Sequence, residues 1–315
     1  MQSLRVNISS SSNLLTDPAF KLILVQVLVG IFLYVNCLMI FTFLKKEVFW
    51  EDTRYILFAQ MLFVDSAVMV LTDVLLIESF YQLRIHTISC IIMCVVVSTL
   101  KSCTPLTLVA MCLERYVAIC MPLRHADIST SRTRFVGFLI IWSISTMSTL
   151  FTFIAYLSVV RPDVLFSNVV CSLEIMLEKE WQAQARAVIL LLSFLLMIII
   201  IVFTYIKIMI AARAASSEKK NSTNKSLRTV LLHAFQLFLC IMQFLTPYIE
   251  MPLWKLDVMV FYNVRYSNFI VFIIAPRCLS PLIYGLRDEK FFAVLSHYAM
   301  CGLTGFSQLR SGNRK

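Results

Sequence analysis

Three stretches of this chain run on without a single charge: residues 22–44, 135–160 and 187–206, of 23, 26 and 20 positions. About 20 apolar residues wound as a helix cross the hydrocarbon of a bilayer. A helix also satisfies its own backbone hydrogen bonds there, where no water can. Four further stretches are as long and as apolar but carry isolated ionisable groups. They are 55–77 with Asp65 and Asp73, 86–113 with Lys101, 229–249 with His233, and 266–286 with Arg277. Three and four make seven, so the expected fold is an all-α integral membrane protein, a seven-transmembrane-helix bundle. Composition agrees. Of the 315 residues, 59% are hydrophobic and 15% charged, against about 45–50% and about 25% in soluble domains. A globule in water has too much surface for its volume to hide that excess.

The expected organisation is one domain over 1–315. An outer tail spans 1–21, and helices run near 22–44, 55–79, 86–117, 135–160, 185–212, 227–250 and 262–286. Residues 211–228 read as a short polar loop with basic ends. Over 287–301, Phe291, Phe292, Leu295, Tyr298 and Ala299 share one stripe, as in a short interfacial C-terminal helix lying on the inner leaflet. Residues 302–315 then form a cytoplasmic tail, and Cys301 is a candidate palmitoyl site. No repeat of 20–50 residues is evident.

A net charge of +10 could suggest nucleic acid, but its distribution says otherwise. With the N-terminus outside, alternate connecting segments place 18 Lys and Arg on the cytoplasmic side and 8 outside. That is the asymmetry that orients membrane proteins, so the basic excess reports topology and no nucleic-acid partner is expected. The chain is expected in the plasma membrane as a multi-pass protein, N-terminus extracellular, C-terminus cytoplasmic. The first twenty residues lack the basic and apolar order of a signal peptide. Asn7-Ile8-Ser9 is a glycosylation sequon on the outer side; those at Asn221 and Asn224 fall inside and are expected bare.

Most of the ten cysteines lie within apolar helices, where Cys behaves as a small hydrophobe. Cys90, at the outer end of the third helix, and Cys171, in the long outer loop, face an oxidising compartment that permits a bridge; two free thiols are the alternative.

Four readings of the polar residues follow from placement. Glu114 and Arg115 form an acid–base pair at the inner end of the third helix, where Arg115 can leave the carboxylate for acceptors on an inserted partner. An Arg that snorkels to the headgroups is the plain alternative. Asp65 and Arg277 are intramembrane charges that each require a partner or a wet cavity; an internal ion pair between them and an Arg277 that points along another helix and snorkels are the two readings. Cys94, Val97, Ser98, Lys101, Thr104, Leu108 and Arg115 follow helical spacing on one face. Lys101 lies 14 residues outward of Arg115, about 21 Å. Asp73, Glu78 and Glu250 are its candidate partners if it does not meet a ligand. His233 is either an inner-face functional residue or a helix-end cap.

The string Met111-Cys112-Leu113-Glu114-Arg115-Tyr116-Val117-Ala118-Ile119-Cys120-Met121-Pro122-Leu123-Arg124-His125 resembles the third-helix signature of odorant receptors, with Glu for the usual Asp. Leu279-Ser280-Pro281-Leu282-Ile283-Tyr284-Gly285-Leu286-Arg287 resembles their seventh-helix signature, with Ser280 for Asn. Asn36, Asp65, Trp142 and Tyr205 stand where the wider rhodopsin-like (class A) G-protein-coupled receptor family places those residues. Cys90 lies 25 positions before Arg115, the family spacing for the outer disulfide. The resemblance covers all seven spans. Two departures mark a divergent branch of the fish and amphibian kind: Leu245 replaces an aromatic residue near Pro247, and the second outer loop has Cys171 alone.

The resemblance implies a receptor that binds a small-molecule odorant in an outer cavity and activates a heterotrimeric G protein at its cytoplasmic face. A non-olfactory class A receptor for another small molecule or a peptide is the alternative. It implies that Val97, Ser98, Lys101 and Ser102 line the ligand cavity. Glu114, Arg115, Tyr116, Tyr205 and Tyr284 form the coupling switch, Cys90 and Cys171 form the disulfide, and membrane lipid is the surrounding partner. The family holds a sodium ion at the equivalent of Asp65, and Arg277 could take that cation's place. Val97 stands where amine receptors carry an acid, and helix seven has Arg277 rather than a lysine that could form a retinal Schiff base, which disfavours both. No catalytic or metal-binding motif is present, so neither enzyme activity nor cofactor is expected. Continuous spans with only six glycines argue against a transporter.

Overall fold

The computed structural model describes residues 18–176, 179–214, 217–256, 258–279 and 294–295. The long helices are α1 (Pro18–Lys45), α2 (Thr53–Phe80), α3 (Thr87–Cys120), α4 (Ser131–Leu157), α5 (Glu180–Ala214), α6 (Ser217–Leu256) and α7, which begins at Val258. The first five are long and apolar enough to cross a membrane, and α6 carries a shorter apolar core over Val230–Thr246. Side chains cap the starts of α2 and α4. Asp52 accepts from the Arg54 backbone N–H at 2.9 Å, and Thr130 Oγ1 from that of Thr133 at 3.3 Å, satisfying donors that a helix leaves open.

The packing is inverted relative to a soluble bundle. On α5, Leu191, Leu192, Leu195, Leu196 and Ile199 are each more than half exposed, an apolar belt only lipid can cover. Buried instead are Asn36, Asp65, Thr104, Thr107, His233, Gln236, Gln243 and Arg277. Helix α3 is the axle, packed against α2, α4, α5 and α6, while α1 leans on α2. At 34 residues it is about 51 Å long. That exceeds the roughly 30 Å hydrocarbon layer, leaving length for tilt or for turns beyond the lipid.

Three features depart from what the sequence suggests. Helix α6 starts at Ser217, where the polar segment reads as loop. No Gly or Pro occurs between Ala215 and Thr246, so nothing stops the helix once it leaves the membrane. Helix α7 is not uniform: Val258–Asn268 is α-helical, Phe269–Ile274 is π-helical, and α-helix resumes through Leu279. The wide turn ends just before Pro276, which lacks an N–H and crowds the carbonyl four residues back. Finally, a two-stranded antiparallel sheet of β1 (Arg84–His86) and β2 (Asn168–Val170) caps α3. The Thr87 backbone N–H and hydroxyl both donate to Ser167 O, at 3.0 and 2.9 Å.

At the inner end, Val48–Glu51 and Pro122–Ile128 are short helices, joined to the bundle through Thr53 and Ser129 hydroxyls and through Arg134 donating to Glu51 O. Of the expected interfacial segment, Val294 and Leu295 are described; both are helical and pack against the inner core of α1, α2 and α3.

Candidate functional site

Three polar assemblies lie along α3. At the inner end, Glu114 faces two basic side chains at once: Arg115 Nε is 3.6 Å from Oε2, and His125 Nε2 is 3.7 Å from Oε1. His125 comes from the short helix that follows α3, so the pair also ties that helix down. The Tyr116 ring packs against Phe203 of α5, with centroids 5.8 Å apart. Tyr205 packs against the α3–α5–α6 core. Sequence reasoning singled out Glu114, Arg115, Tyr116 and Tyr205 but not His125, which lies eleven positions beyond Glu114, past the end of α3. Tyr284 lies outside the described residues, as do Asn7, Ser280 and Cys301.

Halfway up, Asp65 of α2 is wholly buried and accepts from Thr104 Oγ1 of α3 at 3.0 Å. Arg277 Nε of α7 lies 3.9 Å from Asp65 Oδ1, with side-chain exposures of 3% and 0%. At that distance Nε makes no hydrogen bond. The two-pronged contact that suits a guanidinium and a carboxylate is not formed. The fork turns instead to Gln243 Oε1 of α6 at 3.2 Å and to Ile273 O in the π-helical turn at 2.5 Å. Gln236, one face with Gln243, donates to Pro276 O at 3.1 Å. Four helices thus converge on one buried charge pair. The signal for Gln243 was present as His233, Gln236 and Gln243 at helical spacing in an apolar span. His233 is fully buried, not a helix-end cap.

Toward the outside lies a cavity lined by Ser98 and Ser102 of α3, Ser148, Thr149 and Thr152 of α4, Met176 of the outer loop, Arg186 and Leu190 of α5, and Phe244 of α6. It is narrow in this conformation, with room for about one water. Ser98 and Ser102 reach it. Val97 and Lys101 do not line it: each sits about 100° around α3 from its serine neighbour. Val97 is fully buried among Leu75, Cys90, Cys94 and Tyr156, and Lys101 is buried in α3. Asp73 accepts from Gln26 Nε2 at 2.6 Å and Glu250 from Asn268 Nδ2 at 2.8 Å. Arg186 and the hydroxyl face of α4 were missed. Ser145, Ser148, Thr149 and Thr152 at spacings of three and four in a charge-free span were the available clue.

Above the cavity, Cys90 and Cys171 are joined in a disulfide, Cα to Cα 5.5 Å. Gln182 Nε2 donates to Ala155 O at 2.7 Å, closing the loop onto α4.

The 7 transmembrane receptor (rhodopsin family) model matches residues 35–284. Odorant receptor 131-2 of Danio rerio is 57% identical over 283 residues, which cover 90% of this chain and 87% of that relative.

Proposed function

The chain belongs to the rhodopsin family of seven-transmembrane receptors, and from that premise we propose that it is an odorant receptor: a small molecule enters the outer cavity, and a heterotrimeric G protein docks at the inner face. It is a multi-pass membrane protein and not an enzyme. The observation that carries the proposal is that the cavity wall and the Glu114–Arg115 pair share α3. A ligand that repacks Ser98 and Ser102 acts on the same rigid element that ends in the coupling residues. An inserted partner segment then competes with Glu114 for Arg115, a groove-docking event. Val97 and Lys101 support the cavity from behind, and Tyr205 and Tyr284 complete the inner switch.

The lining bears on the ligand's chemistry. Five hydroxyls and one guanidinium face Met176, Leu190 and Phe244 across a narrow space. Such a mixture suits a small molecule with an acidic or carbonyl group and a short apolar body, since a few placed polar groups on an apolar wall set orientation. Truncating Arg186 to Met is expected to raise the half-maximal concentration for acidic agonists by about tenfold or more, as the loss of a hydrogen bond to a charged group does, and to spare neutral ones. Dose–response curves for carboxylic acids and the matched alcohols, read as second-messenger output in receptor-expressing cells, make the test. Equal shifts for both series would remove Arg186 from ligand recognition.

The orientation is part of the proposal. With 18 basic residues facing the cytoplasm against 8 outside, the N-terminus is outside and Asn7 carries a glycan, while Asn221 and Asn224 stay bare. Glycosidase-sensitive mass should vanish in Asn7→Gln. Its persistence, or any sugar on Asn221, would reverse the topology.

A further inference from the structure

Two cysteines of α3, Cys90 and Cys94, stand on consecutive turns and both reach Cys171. Cys90 holds the disulfide. Cys94 Sγ lies 3.9 Å from Cys171 Sγ and 4.0 Å from Cys90 Sγ, and the Cys94 thiol donates to Ser172 O at 3.4 Å. All three cysteines are buried. We propose that Cys171 has two alternative disulfide partners, and that thiol–disulfide exchange inside the protein moves the outer loop's anchor from Cys90 to Cys94.

The step balances without any outside reagent. Cys94 gives up its proton and its thiolate attacks Cys171 Sγ. The Cys94–Cys171 bond forms as the Cys90–Cys171 bond breaks, and Cys90 leaves as a thiolate and is protonated. One disulfide and one thiol exist before and after. Cys94 Sγ is nearly equidistant from both sulfurs, so it sits beside the bond. In-line displacement therefore requires the Cys171 side chain to swing about its Cα–Cβ bond. The hydrogen bond to Ser172 O already holds the loop backbone over Cys94, so the swing is local. Burial shields the three sulfurs from outside reagents.

The consequence is positional. Four residues along a helix are about 6 Å, so the second anchor lies one turn nearer the cavity. Met176, five residues beyond Cys171, lines that cavity and packs in the same cluster as Cys90 and Cys94. Re-anchoring therefore transfers the loop's covalent tie to the turn of α3 next to the ligand space, with the loop backbone already in place above it. The outer disulfide is then an adjustable stop on the cavity roof.

The experiment uses the full receptor in membranes, quenched in acid, alkylated and cleaved at methionine. Met93 lies between the two cysteines, so Cys90 and Cys94 fall on fragments 70–93 and 94–111, and Cys171 on 148–176. Wild type is expected to give mainly the Cys90 linkage, with the Cys94 linkage rising several-fold after incubation near pH 8.5, about the thiol's ordinary pKa. Cys90→Ser should link Cys171 to Cys94 and keep surface delivery. Cys90→Ser with Cys94→Ser should lose delivery at least about tenfold, as removal of a native disulfide does, matching Cys171→Ser. Two results overturn the proposal. In one, Cys171 in Cys90→Ser is recovered alkylated. In the other, wild type yields only the Cys90 linkage after the alkaline incubation, a reading that does not depend on any variant folding.

Discussion

Replacing Asp65 by Asn, or Arg277 by Met, is expected to strip most of the receptor from the cell surface, and replacing both is expected to return part of it. Each residue is buried, at 3.9 Å from the other. Removing one partner of a buried pair leaves a lone charge in a low-dielectric interior, at a cost of about 3–5 kcal/mol. That is a large share of the stability of any domain. The double variant leaves no charge. Its deficit reduces to the unmet needs of Thr104, Gln243 and Ile273 O, which bond the pair at 3.0, 3.2 and 2.5 Å. Surface staining of the four combinations forms a double-mutant cycle. Additive losses would mean that the two charges do not depend on each other. Agonist binding should also be indifferent to sodium, because a guanidinium already neutralises Asp65; a sodium-dependent affinity would contradict that.

Truncating Arg115 to Ala should silence signalling while leaving the receptor in place. Its charge is met by Glu114 at 3.6 Å, in a pair partly open to solvent, so its loss disturbs folding much less than loss of Arg277. The cation is the part a G protein would take up. Without it the maximal response at matched surface level should fall at least about tenfold, equivalent to about 1.4 kcal/mol of coupling. Glu114→Gln is the complement: it releases both Arg115 and His125 and should raise activity in the absence of agonist. Wild-type output from Arg115→Ala would sink the assignment of the switch.

The lipid-facing part of this fold was open to reading because lipid imposes one rule, an uninterrupted apolar run, and 22–44, 135–160 and 187–206 obey it without exception. The buried charges were open for a related reason: Asp65 and Arg277 are so costly in that setting that each implies the other. What could not be read was rotation. Val97 and Ser98 are neighbours on one predicted stripe, yet one packs under the disulfide and the other faces the cavity. That difference of about 100° is decided by how α3 seats against α2 and α4, not by spacing along α3. Arg186 escaped because it lies at the outer end of its span, where a cation looks like a loop residue. The start of α6 escaped because hydropathy marks where a helix enters lipid, and a helix can continue in water.

The π-helical turn of α7 has a consequence for angular phase. Such a winding advances less per residue than an α-helix, and over the six residues Phe269–Ile274 the lag sums to about one residue's rotation, roughly 100°. Were those residues wound as ordinary helix, everything beyond them would turn by that angle, and Arg277 would face a different neighbour. The orientation of the buried guanidinium is therefore set by how six apolar residues are wound a turn away. It is the winding of this segment, rather than a slide or tilt of helix seven, that presents Arg277 to Asp65.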